Sequence, residues 1–170
     1  MLQPFSLTAR GMLQRVIARV TTAGLPASVA QHGADTIRQE MRDFPSALTL
    51  ETRDAASHSP GAAIEIIAEC EQGLAGFSAL GERGKRIETV AAEACLAFQE
   101  WWKTGAACEE HLADHLVLPA ALTLGESEWT TSHVTEHLRT VLWVVPQFLP
   151  VTVSLTESLD GTCIKLEQIG

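Results

Sequence analysis

With 170 residues, 46% of them hydrophobic, the chain has enough apolar material for one domain, or for a domain and part of another. Twelve Lys and Arg against twenty-one Asp and Glu leave a formal charge of −9, which repels a polyanion at long range and weighs against a dedicated nucleic-acid binder. A net sum hides local cation clusters, so phosphate binding stays open.

Phe5 to Thr22 reads as strand, turn and strand, punctuated at Arg10-Gly11 and ended by Gly24-Leu25-Pro26. From Ala27 to Met41 the apolar residues Val29, Ala30, Ala34, Ile37 and Met41 recur at helical spacing, and Pro45 closes that region. Three strands are predicted over Ala47 to Thr52, Ala62 to Glu71 and Leu74 to Leu80, separated by His58-Ser59-Pro60-Gly61 and Gln72-Gly73. The clearest helix runs from about Lys85 to Lys103, with Ile87, Val90, Ala91, Ala94, Cys95, Phe98 and Trp101 on one stripe, and Gly105 ends it. Trp101 and Trp102 are adjacent and cannot both face inward; at least one is expected to cover a seam with another layer. A second helical region starts near Glu109, with Leu112, Leu116, Leu118 and Leu122 apolar and a bend at Pro119. Gly125 to Ser132 reads as a loop leading into a short strand. Val134 to Val145 reads as a helix whose inner face is Val134, Leu138, Val141, Leu142 and Val145. Alternation of Val151, Val153 and Leu155, a turn at Asp160-Gly161, then Ile164 and Leu166, predicts a closing hairpin with one buried face. Helices and hairpins in this order give an α+β layer structure without internal repeats.

Cys70, Cys95, Cys108 and Cys163 are scattered, with no C-x-x-C pair, so they read as reduced and mostly buried thiols and not as a zinc site or disulfide framework. The first ten residues hold no apolar run of signal-peptide length, and the densest apolar stretch, Val141 to Val145, stops at Pro146. A soluble, cytoplasmic chain with no membrane association is expected.

Two histidine pairs stand four residues apart on predicted helix, His111 with His115 and His133 with His137, and Asp114 lies beside the first. Imidazole and carboxylate are standard ligands, so a metal site built from two helices is one reading. Neither pair has the H-E-x-x-H form, and histidines on partly solvated faces are the competing reading.

Several blocks then carry a family resemblance. Glu110-His111-Leu112-Ala113-Asp114-His115-Leu116-Val117-Leu118-Pro119-Ala120-Ala121-Leu122 is similar to the E-H/Y-L-A-D-Q-L-L-L-P-x-A-L stretch of the RNA 3'-terminal phosphate cyclases. Fifteen residues on, His137 opens a segment resembling that family's H-x-x-T-N motif, and Phe148-Leu149-Pro150-Val151 resembles its F-L-P-V lead into the final hairpin. Leu80-Gly81-Glu82-Arg83-Gly84 with Glu88-Thr89-Val90-Ala91 resembles L-G-E-x-G-x-x-x-E-x-V-A, and residues 2–8 and 23–26 also look like family positions. The family's glycine-rich H-G-x-x-P-x-G-G-G signature has no counterpart, so in family order the chain is expected to begin about halfway, as a truncated, C-terminal portion. Three departures stand out. His115 replaces the usual Gln, Val141 replaces the Asn after the Thr, and the loop Leu124 to Glu128 is less glycine-rich.

The resemblance implies a fold and a chemistry. Residues 1–14 and 108–170 would be the end of the large catalytic domain, built of two-helix, four-strand units, and residues 15–107 an inserted small thioredoxin-like α/β domain. The implied enzyme is a ligase of RNA processing that uses ATP and a divalent metal (Mg or Mn) to turn an RNA 3'-terminal phosphate into a 2',3'-cyclic phosphate through a covalent enzyme–AMP. His137 matches the nucleophile. His111, Leu112, Ala113, Asp114 and His115 match the stretch lining the nucleotide pocket, with Asp114 best suited to orient nucleotide or metal. The implied partners are RNA 3'-phosphate ends and an N-terminal cyclase half, or self-association through an exposed apolar seam. A non-catalytic RNA-processing or ribosome-assembly factor of the same superfamily is the alternative. Two cation groups, Arg10 with Arg15 and Arg19, and Arg83 with Lys85 and Arg86, are expected to give at most weak, salt-sensitive binding to RNA ends.

Overall fold

The computed structural model describes residues 2–44, 47–158 and 160–169, which fall into two compact units: residues 1–11 with 101–170, and residues 12–100. The second unit is thus a continuous segment set into the sequence of the first. The class is mixed α+β with two four-stranded sheets.

In the unit of residues 12–100, β2 (Leu13–Ala23) leads through α1 (Ala27–Glu40) to β3 (Ala47–Asp54), followed by the antiparallel pair β4 (Gly61–Cys70) and β5 (Gly73–Leu80) and by α2 (Ile87–Lys103). The strand order is β3-β2-β4-β5, with β2 parallel to β3 and antiparallel to β4. Alternation decides the buried face: Val16, Ala18 and Val20 of β2 and Ile64, Ile66 and Ala68 of β4 are fully buried. Ala34 and Ile37 of α1 and Val90, Ala91, Cys95 and Phe98 of α2 are equally buried. Gly33 marks how closely these layers meet, since a Cβ there would lie 3.0 Å from Ile87 and 3.3 Å from Val20. Phe98 anchors the end of this core, 4.8 Å from Phe44 and 5.7 Å from Phe77 between ring centroids, and its truncation to Ala should cost about 3–5 kcal/mol. The opposite sheet face is charged. Arg15 pairs with Glu69, and Arg19 with Glu51 at 3.0 Å and Glu65 at 3.3 Å. Pro45, expected to close α1, lies outside the described residues; α1 itself ends at Glu40.

In the other unit, β1 (Ser6–Leu7) pairs in parallel with β6 (Gly125–Thr131), and the order is β1-β6-β8-β7, with β7 at Val151–Ser158 and β8 at Gly161–Gln168. The helices α3 (Glu110–His115), α4 (Val117–Ala121) and α5 (Glu136–Val144), with a 3-10 turn at Val145–Gln147, complete it. Its core joins Ala113, Val117, Ala120 and Ala121 to Trp129, Leu138, Leu142, Ile164 and Leu166.

Three expectations change here. The stretch from Gly125 is not a loop but strand β6, paired with both β1 and β8. Its buried positions are Ser127, Trp129 and Thr131, so polar residues occupy the inner face and mask the apolar alternation. The helix after Glu109 breaks at Leu116, not at Pro119. Proline lacks the N–H that would bond the carbonyl four residues back, that of His115, and its ring crowds the same carbonyl, so the helix restarts with Pro119 in its first turn. The inner face of that region is made by small residues, while Leu118 and Leu122 are exposed. Helix α5 also starts two residues later than expected, where Thr135 caps it by accepting from the Leu138 N–H at 3.0 Å.

Trp101 is buried and Trp102 half-buried, as adjacency on a helix requires. The Arg10 guanidinium lies over both rings, 4.4 and 4.3 Å from their centroids, and donates to the carbonyls of Trp101, Trp102, Thr104 and Ala106 at the end of α2. Among the described residues no helix is long and apolar enough to cross a membrane.

Candidate active site

Helix α3 begins at a carboxylate. Glu109, itself buried, accepts the N–H groups of His111 at 2.7 Å and Leu112 at 2.5 Å, satisfying two donors that a helix start leaves open. The far end is tied to the sheet, because the Trp129 indole N–H donates to the Ala113 carbonyl at 3.1 Å. Ala113 is therefore in the core, Leu112 is half-buried, and the next residue, Asp114, is buried with its carboxylate directed at α5.

His137 is the second residue of α5, in the turn that Thr135 caps. Its Nδ1 lies 2.6 Å from Asp114 Oδ2. An ionised carboxylate only accepts, so Nδ1 donates to it, and in the neutral imidazole the lone pair then falls on Nε2. The His137 side chain is 69% exposed against 7% for Asp114, which makes a buried anchor and an accessible imidazole edge. That combination suits a nucleophile or a general base. The other oxygen, Asp114 Oδ1, is buried and accepts no hydrogen bond among the described residues; His115 Nε2 stands 3.6 Å away.

The remaining histidines are arranged differently. His111 and His115 are both exposed on α3, His111 with its Nε2 3.7 Å from Glu110. His133 precedes the first turn of α5 and is exposed, so it does not share a helix with His137. Among the described residues no three His, Cys, Asp or Glu side chains converge as metal ligands. Thr140 donates to the Glu136 carbonyl at 2.7 Å, and Val141 packs half-buried against the apolar core.

None of the four thiols is bonded in a disulfide. Burial first, and the nearby carboxylates of Glu40 and Glu109 second, push Cys95 and Cys108 up to about 12, so neither is a thiolate nucleophile near neutral pH. The resemblance pointed to His137 and Asp114 separately; their contact, 23 residues apart, has no local signal. The capping roles of Glu109 and Thr135 were also missed, although each stands directly before an acidic first-turn residue, a helix-start signature.

Comparison with known proteins gives one consistent result. The family described as "RNA 3'-terminal phosphate cyclase (RTC), insert domain" matches residues 8–103. A Methylococcus capsulatus protein named RNA 3'-terminal phosphate cyclase is 40% identical over 153 residues, covering 90% of this chain and 42% of that protein. Proteins of the same name from Nostoc punctiforme and Pseudomonas aeruginosa are 35% and 34% identical, over 90% and 94% of this chain and 44% and 46% of their own length. The chain therefore spans less than half the length of the curated relatives it matches.

Proposed function

We propose that this chain, which belongs to the RNA 3'-terminal phosphate cyclase family, contributes His137 as the nucleotide-accepting residue of an ATP-dependent RNA 3'-phosphate cyclisation. The observation that carries the reading is the 2.6 Å contact between His137 Nδ1 and the buried Asp114. It also favours an enzyme over a non-catalytic assembly factor, which would have no use for an anchored, accessible imidazole.

In this reading Nε2 of His137 attacks the α-phosphorus of ATP, the bond to pyrophosphate breaks, and a phosphoramidate forms. Asp114 keeps the Nδ1 proton and balances the positive charge that develops on the ring. A terminal phosphate oxygen of RNA then displaces the imidazole, giving an RNA–AMP anhydride. The neighbouring 2'-hydroxyl closes on the same terminal phosphorus, AMP leaves, the hydroxyl proton passes to solvent, and the 2',3'-cyclic phosphate remains. Proximity supplies much of that last rate.

The donor set of this chain does not fit a divalent ion by itself, since one oxygen of Asp114 is committed to His137 and no three ligands converge among the described residues. A metal is expected to come with the nucleotide phosphates, and no step above is routed through it. His111, Leu112 and His115, on exposed or half-buried parts of α3, are proposed to edge the nucleotide site; Ala113 serves it by position only, from the core.

Residues 1–14 and 108–170 are proposed as the C-terminal part of the catalytic domain and residues 15–107 as the inserted domain. Within the latter, the β-α-β-β-β-α order, with one parallel and two antiparallel pairings, supports a thioredoxin-like description. A cytoplasmic location goes with four unbridged thiols. Catalysis is proposed to need the N-terminal half of the family's domain as partner.

The test is labelling with ATP radioactive at the α-phosphate. The chain alone is expected to stay unlabelled. Supplied with the N-terminal half of a relative, it should form an acid-labile adduct that His137→Ala abolishes and His133→Ala leaves intact. Labelling of the isolated chain on another residue would defeat the assignment.

A further inference from the structure

The buried carboxylate of Asp114 has two oxygens, and His137 uses one of them. Oδ2 accepts from His137 Nδ1 at 2.6 Å, while Oδ1 is buried without a donor among the described residues. A carboxylate oxygen shut away from water with nothing to replace it is costly. The simplest relief is to turn the side chain outward, and that movement would break the bond to His137.

A donor stands close by. His115 is the last residue of α3, and its Nε2 lies 3.6 Å from Oδ1, an ion-pair contact just beyond hydrogen-bond distance. Among the described residues His115 Nε2 and His137 Nδ1 are the only basic side-chain nitrogens within 4 Å of this carboxylate. Neighbouring cations are turned elsewhere: Arg139 of α5 faces Glu136 at 3.8 Å, and His111 at the start of α3 faces Glu110 at 3.7 Å. The backbone of His115 is fixed, because the Leu116 N–H that closes α3 donates to the Leu112 carbonyl at 3.1 Å. Its ring is exposed and makes no other polar contact among the described residues, so it can rotate without giving up a bond. Moving Nε2 inward by less than about 1 Å brings it to the ordinary N–H···O distance of about 2.9 Å.

We propose that His115 is a second positioning residue of this site: its Nε2–H closes on Asp114 Oδ1, so that one buried carboxylate holds two imidazoles and is kept turned toward His137. The inference rests on the reading of His137 as the nucleotide-accepting residue. The two rings then meet the same carboxylate through opposite nitrogens. His115 donates from Nε2 and keeps its lone pair on Nδ1, whereas His137 donates from Nδ1 and keeps Nε2 free for attack. His115 thus edges the nucleotide site by place, while its proton serves Asp114.

The experiment has two arms. In the first, heteronuclear NMR of the 15N-labelled chain at about pH 8, where an ordinary imidazole is neutral, reads the ring tautomers. His115 should carry its proton on Nε2 and His137 on Nδ1. His115→Ala should move His137 toward the Nε2–H tautomer. His115→Gln should restore it, because the amide N–H stands the same number of bonds from Cα and can donate to Oδ1. A His137 tautomer that ignores His115→Ala, or a Gln variant no better than Ala, would overturn the proposal. In the second arm, the chain supplied with the N-terminal half of a relative is labelled from ATP radioactive at the α-phosphate. His115→Ala should slow labelling about three- to tenfold at saturating ATP, the size of one net hydrogen bond, with little change in the half-maximal ATP concentration. In an Asp114→Ala background the same substitution should change the rate by less than about twofold. A loss undiminished in that background would mean that His115 acts on the nucleotide directly, and would also overturn the proposal. If instead His137→Ala leaves labelling intact, the reading of His137 fails, and the first arm alone decides whether His115 holds Asp114.

Discussion

Asp114 holds His137 from within the core: its Oδ2 lies 2.6 Å from His137 Nδ1, with the carboxylate buried and the imidazole exposed. Because the anchor is fixed by the Trp129 bond to the preceding carbonyl, the exposed ring inherits a direction that a surface histidine lacks.

Asp114→Asn should test that inheritance. An amide can donate to Nδ1, which favours the tautomer with the proton on Nε2 and blocks the attacking lone pair. Labelling of the complemented chain should fall by roughly 10²–10⁴-fold with little change in the ATP concentration needed for half-maximal rate. Heteronuclear NMR of the chain alone should show the His137 tautomer ratio moving in the same direction; an unchanged ratio would count against the orienting role.

Arg10 makes a second prediction, on stability. Its guanidinium satisfies four carbonyls at the end of α2 and stacks on Trp101 and Trp102, geometry that an ammonium cannot reproduce. Arg10→Ala is expected to destabilise the chain by about 2–3 kcal/mol and Arg10→Lys by a smaller amount, measured by urea unfolding. A loss under about 0.5 kcal/mol for Ala would show that the contacts are replaced by water.

How much of this was legible beforehand follows from where pattern and burial coincide. The alternation in Ile64, Ile66 and Ala68, and the stripe from Ile87 to Trp101, announce β4 and α2 because one face of each is buried and apolar. Strand β6 was hidden because its inner face carries Ser127 and Thr131 around Trp129, while Glu126 and Glu128 on the outer face are held by Lys165 of β8 at 3.2 Å. Arg10, Arg15 and Arg19 look like one cation cluster by spacing, yet Arg10 is engaged by carbonyls and the other two by glutamates across the sheet. Resemblance named His137 and Asp114 but could not join them, since a contact between two short helices depends on packing and not on spacing.

The buried thiols set an alkaline limit. Cys95 and Cys108 are pushed from the ordinary 9.0 up to about 12 in the folded chain, so the folded state holds those protons more tightly than the unfolded one. Their contribution to stability is fully present below about pH 9 and is lost as pH rises toward 12. Unfolding midpoints should therefore fall across that window, and Cys95→Ala with Cys108→Ala should flatten the fall. At pH 8 both thiols should resist a disulfide reagent until the chain unfolds.

Self-association gives the last prediction. Trp143 on α5 is 70% exposed and Phe148 just beyond the 3-10 turn is 81% exposed, in a chain that spans less than half the length of the relatives it matches. Large aromatic side chains left in water favour any partner that removes them from it, at about 25 cal/mol per Å2 of apolar surface. The proposed N-terminal half would be that partner in a complete enzyme; without it, a second copy is the available substitute. Light scattering of the isolated chain should show a mass that rises with concentration, and Trp143→Glu with Phe148→Glu should return it to a monomer. Adding the N-terminal half of a relative should also suppress the rise. A strictly monomeric wild-type chain at every concentration would mean that these side chains are tolerated in solvent and that the unit stands alone.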